Sequence, residues 1–180
     1  LYLNTTGGDN VASGSYSLHD NTTGSNNAAS GHQSLTSNTT GNYNVAMGYQ
    51  SLRYNITGHD NTALGNAAGR ETGGSAVNST TGSSVFIGAN TKSSANGVAN
   101  EIVIGYNAIG SGSNSVTLGN TSVAKTVLRG KVGIGTSTPY SILDLSAGTP
   151  GSVAGSAIYF SGSTAIWQSE ASTLTIRPGG

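Results

Sequence analysis

The chain has no cysteine, one tryptophan, one methionine and three prolines among 180 residues, and only 8% of its residues are charged. Without cysteine there is neither a disulfide nor a thiolate metal site, and the redox compartment cannot be read. Seven basic residues offset seven acidic ones with no cluster of either sign. That balance argues against nucleic acid or an anionic membrane as the main partner. No apolar run approaches the ~20 residues of a membrane span, so membrane insertion is not expected. Apolar residues make up 34% of the chain, against roughly 45–50% in an average globular domain. Strong helix formers are few and 28 glycines interrupt nearly every window, which excludes a helix-rich core. The chain opens at Leu1, inside a pattern and without Met, so it reads as a piece of a longer protein.

What is present is repetition. NTTG occurs at Asn4, Asn21 and Asn38, and NITG at Asn55, always 17 residues apart. Leu1, Leu18, Leu35 and Leu52 keep that step, as do Asn10, Asn27, Asn44 and Asn61, and Ala12, Ala29, Ala46 and Ala63. Four copies of L-x-x-N-[TI]-T-G-x-x-N-x-A-x-G-x-x-[SA] fill residues 1–68, and seven of the 17 columns never vary. A fixed period of this size marks a solenoid. The fold class is therefore all-β, a repetitive β-solenoid (β-roll) with 17-residue coils.

Each column suggests a role. The two glycine columns, Gly7/24/41/58 and Gly14/31/48/65, predict two turns per coil with φ > 0, separated by two short strands. Coils stacked ~4.8 Å apart place like residues above one another. The leucines then form an aliphatic stack inside, joined by columns 11/28/45/62 and 13/30/47/64, while the asparagines form amide ladders. Ala12, Ala29, Ala46 and Ala63 alternate with those columns and are expected on the opposite face, as a tight-packing surface. One coil buries so little that its burial barely offsets the entropy of ordering it. The Ala face is thus expected to pack against two identical chains, giving a homotrimeric fibre.

Residues 69–122 read as an insertion loop (69–84) and degenerate coils. Val85–Gly88, Ile102–Gly105 and Val116–Gly119 are short strands ending in glycine. Residues 123–180 read as a small β-rich C-terminal module. Val132–Pro139 reads as a strand running into a Pro-terminated turn, and further strands are expected at Ile142–Leu145, Ala157–Phe160, Ala165–Trp167 and Leu174–Ile176, with a linker at 146–156.

Chemistry is sparse. His19, His32 and His59 occupy different repeat columns, so no metal site is expected. The acidic residues are isolated and form no general acid/base pair. Gly133-Ile-Gly135 is followed by Thr-Ser-Thr-Pro rather than a helix, so it is no dinucleotide loop. No cofactor and no catalytic residue is expected, and the chain does not read as an enzyme. Six N-x-[ST] sequons begin at Asn4, Asn21, Asn38, Asn55, Asn78 and Asn120; four arise from the repeat, where turn chemistry explains them. Tyr16, Tyr43, Tyr49 and Tyr54 lie on variable columns and are the candidates for contact with a host-surface glycan or protein.

The units Asn44–Gly48, Asn61–Gly65, Asn100–Gly105 and Asn114–Gly119 resemble the head repeats of trimeric autotransporter adhesins. The NTTG repeat is similar to repeats in phage tail fibres, and Lys131–Leu145 resembles a segment near the end of many tail-fibre shafts. The resemblance implies an intertwined or side-by-side β-solenoid trimer, extracellular, projecting from a virion or cell toward a host surface. In tail fibres a self-cleaving chaperone often follows. The expected function is a structural shaft of a phage tail fibre or similar virion appendage that contributes to attachment. The alternatives are a bacterial cell-surface adhesin and, more remotely, an ice-binding solenoid suggested by the Thr pairs. A hexapeptide acyltransferase needs 18-residue coils and does not fit.

Overall fold

A computed structural model describes residues 1–135, 137–139 and 143–145. Each coil contributes one three- or four-residue strand: β1 (Val11–Ser13), β2 (Ala28–Ser30), β3 (Val45–Met47), β4 (Thr62–Leu64), β5 (Val85–Ile87), β6 (Glu101–Ile104) and β7 (Ser115–Leu118). They form a single parallel sheet in chain order. Val11 pairs with Ala28, Ala28 with Val45 and Val45 with Thr62, in step with the repeat. The chain is thus a parallel β-solenoid with coils of about 17 residues. There is one strand per coil rather than two; the rest is turns whose N–H groups bond to the adjacent coil.

Leu1–Lys125 form one compact unit, and a second begins at Thr126. In the second, β8 (Val132–Ile134) and β9 (Leu143–Leu145) pair in parallel. The strands expected at 157–160, 165–167 and 174–176 lie outside the described residues.

The interior corrects the expected inside-out order. Leu18, Leu35 and Leu52 are buried, but Ala29, Ala46 and Ala63 are buried with them in one cluster. Ala12 packs against this cluster at the N-terminal end, where Leu1, with no coil beyond it, remains exposed. The columns expected inside point outward instead: Val11 is 64% and Met47 52% exposed. Strand alternation separates two faces without saying which is inner. The leucine across the coil decides it, because it fills the narrow interior and leaves room opposite for only a methyl group.

The fifth coil tests that explanation within the molecule. One step past Leu52 stands Gly69, and the Ala column passes from Ala63 to Phe86. A Cβ on Gly69 would meet Phe86 Cδ2 at 2.8 Å and Leu52 Cδ2 at 2.9 Å. Large and small residues have exchanged sides, so the filled volume is conserved. Val103 continues the inward column in the sixth coil.

The leucines also carry backbone strain. Leu18, Leu35 and Leu52 have φ of 47°, 49° and 46°, a left-handed conformation that costs roughly 1–2 kcal/mol per non-glycine residue. Stacking holds them there: Leu18 N donates to Ser34 O (3.1 Å), Leu35 N to Ser51 O (3.0 Å) and Leu52 N to Ala68 O (3.0 Å).

The glycine columns divide the work differently from the expectation. Gly14, Gly31, Gly48 and Gly65 do take positive φ, whereas Gly7, Gly24, Gly41 and Gly58 do not. These four are required by close approach: a Cβ on Gly24, Gly41 or Gly58 would collide with the carbonyl oxygen of Gly41, Gly58 or Thr81 in the next coil.

Candidate functional site

Much of the interior is polar and forms two amide ladders running along the stack. In the first, Nδ2 of Asn21, Asn38 and Asn55 donates to Oδ1 of the preceding asparagine at 2.8, 2.8 and 2.9 Å. Each Nδ2 also donates to the glycine carbonyl three residues on. In the second, Asn27, Asn44 and Asn61 donate through both backbone N and Nδ2 to the previous Oδ1 at 2.9–3.1 Å. Buried amides of this kind are tolerated because each finds its partners. The first ladder accounts for the four repeat sequons, and Asn78 Nδ2 donates to Gly69 O. Asn21, Asn38, Asn55 and Asn78 are at most 2% exposed, so the folded solenoid has no room for a glycan on them.

The irregular coils bring in charged groups. The step between strands lengthens to 23 residues before β5, and a small hairpin pairs Glu71 with Val77. There Arg70 donates to Glu71 Oε1 at 2.6 Å, Lys92 Nζ lies 3.3 Å from Glu71 Oε2, and Arg70 Nη1 reaches Gln50 Oε1 at 2.6 Å. Burial alone would raise the Glu71 pKa. The hydrogen bonds and charges of Arg70 and Lys92 outweigh it and hold the carboxyl below its ordinary value.

Before β7 the step shortens to 14 residues. At the start of β6, 17 residues after Ser84, Glu101 takes the ladder position and is fully buried. Its carboxylate accepts from Ser93 Oγ (2.9 Å), Ser94 N (3.2 Å) and Gly112 N (3.0 Å). The longer side chain reaches donors that an asparagine would miss. Isolated acidic residues give no hint of either cluster in the sequence; only alignment of Glu101 with Asn61 and Ser84 through the glycines of each coil does so.

The surface offers two features. Tyr16 and Tyr49 are joined into a strip by histidines. His32 stacks on Tyr49 at 5.5 Å, Tyr16 meets His32 edge-on at 6.4 Å and His19 at 5.3 Å, and Tyr2 stacks on His19 at 5.0 Å. Tyr43 stands outside this strip and is 60% exposed; Tyr54 lies under the Arg53 guanidinium, 5.1 Å from its ring centre. The histidines do not converge on a metal. Among the described residues no three His, Cys, Asp or Glu side chains gather where they could hold one.

The second feature is the outward face of the sheet. Its two columns carry no charge in any of the seven strands. Small and polar residues in the first coils (Ser13, Ala28, Ser30) give way to Val85, Ile87, Ile102, Ile104, Val116 and Leu118. Val116 is 63% and Leu118 55% exposed. A contiguous apolar face on a charge-poor chain marks a contact surface. Beyond it a recess of about 330 Å³, lined by Ile109, Thr117 and Asn120 among others, opens where the inward column ends. No family model matches the chain, and comparison with curated proteins and with solved structures yields no match.

Proposed function

We propose that the chain is a shaft segment of a homotrimeric extracellular fibre, the tail fibre of a phage or a similar virion appendage. The observation that carries this reading is the uncharged, apolar outward face of the sheet. Three copies placed side by side around the fibre axis would bury that face, with the aliphatic columns of β5, β6 and β7 at the centre. The contact surface is therefore the outward Val/Ile/Leu face, not the Ala column.

The role is mechanical. Sheet, amide ladders and turn hydrogen bonds all run from coil to coil along the stack, so tension and bending are resisted by repeated short bonds. Thr5, Thr22 and Thr39 support a structural reading over ice binding, because each hydroxyl donates to a carbonyl of the next coil at 2.8–3.1 Å. Tyr16, Tyr43 and Tyr49 are left at the surface for host contact, where threefold repetition would add avidity to a weak site. A bacterial cell-surface adhesin is the second reading, supported by the resemblance of Asn100–Gly105 and Asn114–Gly119 to adhesin-head units.

Sedimentation equilibrium of the full chain tests the assembly. A mass three times that of one chain is expected, falling to a single chain when Ile87→Lys and Leu118→Lys are combined. A wild-type chain that stays folded and monomeric at high concentration contradicts the proposal.

A further inference from the structure

Along one edge of the coils, two consecutive backbone N–H groups converge on one carbonyl of the next coil. Thr22 N and Thr23 N both donate to Thr39 O at 3.0 Å, and Ile56 N and Thr57 N donate to Ser79 O at 2.8 and 3.2 Å. One coil further the acceptor changes. Ser79 N and Thr80 N donate to the side-chain Oδ1 of Asn96, at 2.8 and 3.0 Å. The Ser79 and Thr80 hydroxyls lie 3.3 and 3.2 Å from the same oxygen. A side-chain amide has taken the place of a backbone carbonyl: two N–H groups and the Thr80 hydroxyl surround its oxygen, and the Ser79 hydroxyl lies between Oδ1 and Nδ2, which donates to it at 3.1 Å.

Asn96 is followed by Gly97, and this is the only Asn-Gly pair in the chain. Both residues are exposed. The Gly97 N–H has no acceptor among the described residues. The ladder asparagines differ at every point. Beyond the first coil they are buried, their next residue carries a Cβ, and that residue's N–H is engaged: Thr22 N donates to Thr39 O and Val45 N to Asn61 O.

We propose that Asn96 is a site of spontaneous deamidation, activated by the cradle of Ser79 and Thr80. The Gly97 nitrogen loses its proton to solvent hydroxide or buffer base and attacks Asn96 Cγ. The charge that develops on Oδ1 falls where two N–H groups already point, the arrangement that stabilises a tetrahedral oxyanion. The Cγ–Nδ2 bond then breaks, Nδ2 takes up a proton from solvent, and ammonia leaves a succinimide. Water opens the ring at either carbonyl. Attack at Cγ gives aspartate; attack at the Asn96 backbone carbonyl gives an isoaspartyl linkage. Because the cradle polarises Cγ, aspartate is the favoured product. Its carboxylate then sits among the same N–H and hydroxyl groups, in charge-assisted hydrogen bonds stronger than those of the amide. The outcome is one negative charge added to a formally neutral chain at a coil–coil junction.

The test is incubation of the full chain at mildly alkaline pH, folded and in urea, with peptide mass mapping and isoaspartate quantification. The expected result is conversion at Asn96 ahead of every other asparagine, faster in the folded chain, with aspartate in excess there and isoaspartate in excess in urea. Combined Ser79→Ala and Thr80→Ala, which removes the two longer contacts, should slow folded-state conversion by less than the ~100-fold or more seen for a complete oxyanion-hole donor. Gly97→Ala should slow it in both states. Conversion no faster in the folded chain than in urea, or the same product ratio in both, overturns the proposal without requiring any variant to fold.

Discussion

The first four coils and the last three solve one packing problem with different chemistry. In the first four, a large residue and a small one face each other at every level, Leu against Ala, and the space beside them is filled by amide ladders. In the last three the step varies, Phe86 and Val103 occupy the inward column, and Ser84 and Glu101 replace the ladder asparagines. Uniform coils permit identical side chains to bond along the stack. Unequal coils break that alignment, and each needs its own solution. Ladder chemistry is thus a property of period, and the irregular coils depend more on apolar filling and charged groups.

The largest effect that would separate the two regions is Phe86→Ala. Loss of a buried aromatic costs about 3–5 kcal/mol, to be read as a drop in the urea unfolding midpoint. Adding Gly69→Leu to that variant recreates the Leu/Ala pair of the earlier coils and should recover part of the loss. Gly69→Leu alone should destabilise, since the new side chain would overlap Phe86. A double variant no more stable than Phe86→Ala would break the volume-exchange explanation.

Next in size is removal of a ladder rung. Asn44→Ala strips the acceptor from Asn61 N and Nδ2 and the donor from Gly58 O. Stranding buried polar groups costs about 1–3 kcal/mol. Ser84→Ala, at the equivalent position in the irregular coils, removes shorter-reaching bonds to Gly82 O and Glu101 N and should cost less. Equal losses would mean that the ladder adds nothing beyond local hydrogen bonds.

The smallest effect is a pH dependence confined to the irregular region. Glu71 has a native pKa below its ordinary value. Its contribution is therefore fully present above the ordinary carboxyl range and is lost as pH falls through the lowered native value. Stability measured across acid pH should show this loss in the wild type and lack that component in Glu71→Gln. The same slope in both would remove Glu71 from the account.

Much of this architecture was legible from the spacing. The step of 17 predicted the parallel stack, the Leu18/Leu35/Leu52 spine and the asparagine ladders. The orientation of the strands was not legible, because Val45-Ala46-Met47 alternates equally well with either face inside. The scarcity of apolar residues made burial of the larger side chains the natural expectation, but a leucine from the far side of the coil had already filled the space. The Gly69/Phe86 exchange was readable only by extending the leucine column one step beyond the clear repeats. The stacking of His32 on Tyr49 was implicit in the period, since the two lie 17 residues apart in one column; the contact of Tyr16 with His32 was hidden because Tyr16 lies in the neighbouring column.

The fibre reading depends most on what covers the outward face, and the absence of native cysteine makes that directly measurable. Single cysteines at Ile87 and Leu118, with one at Tyr43 for reference, can be alkylated in the native chain under identical conditions. The proposed trimer predicts slow labelling at positions 87 and 118, fast labelling at 43, and equal rates after unfolding. Native labelling at 87 and 118 as fast as at 43 would contradict it.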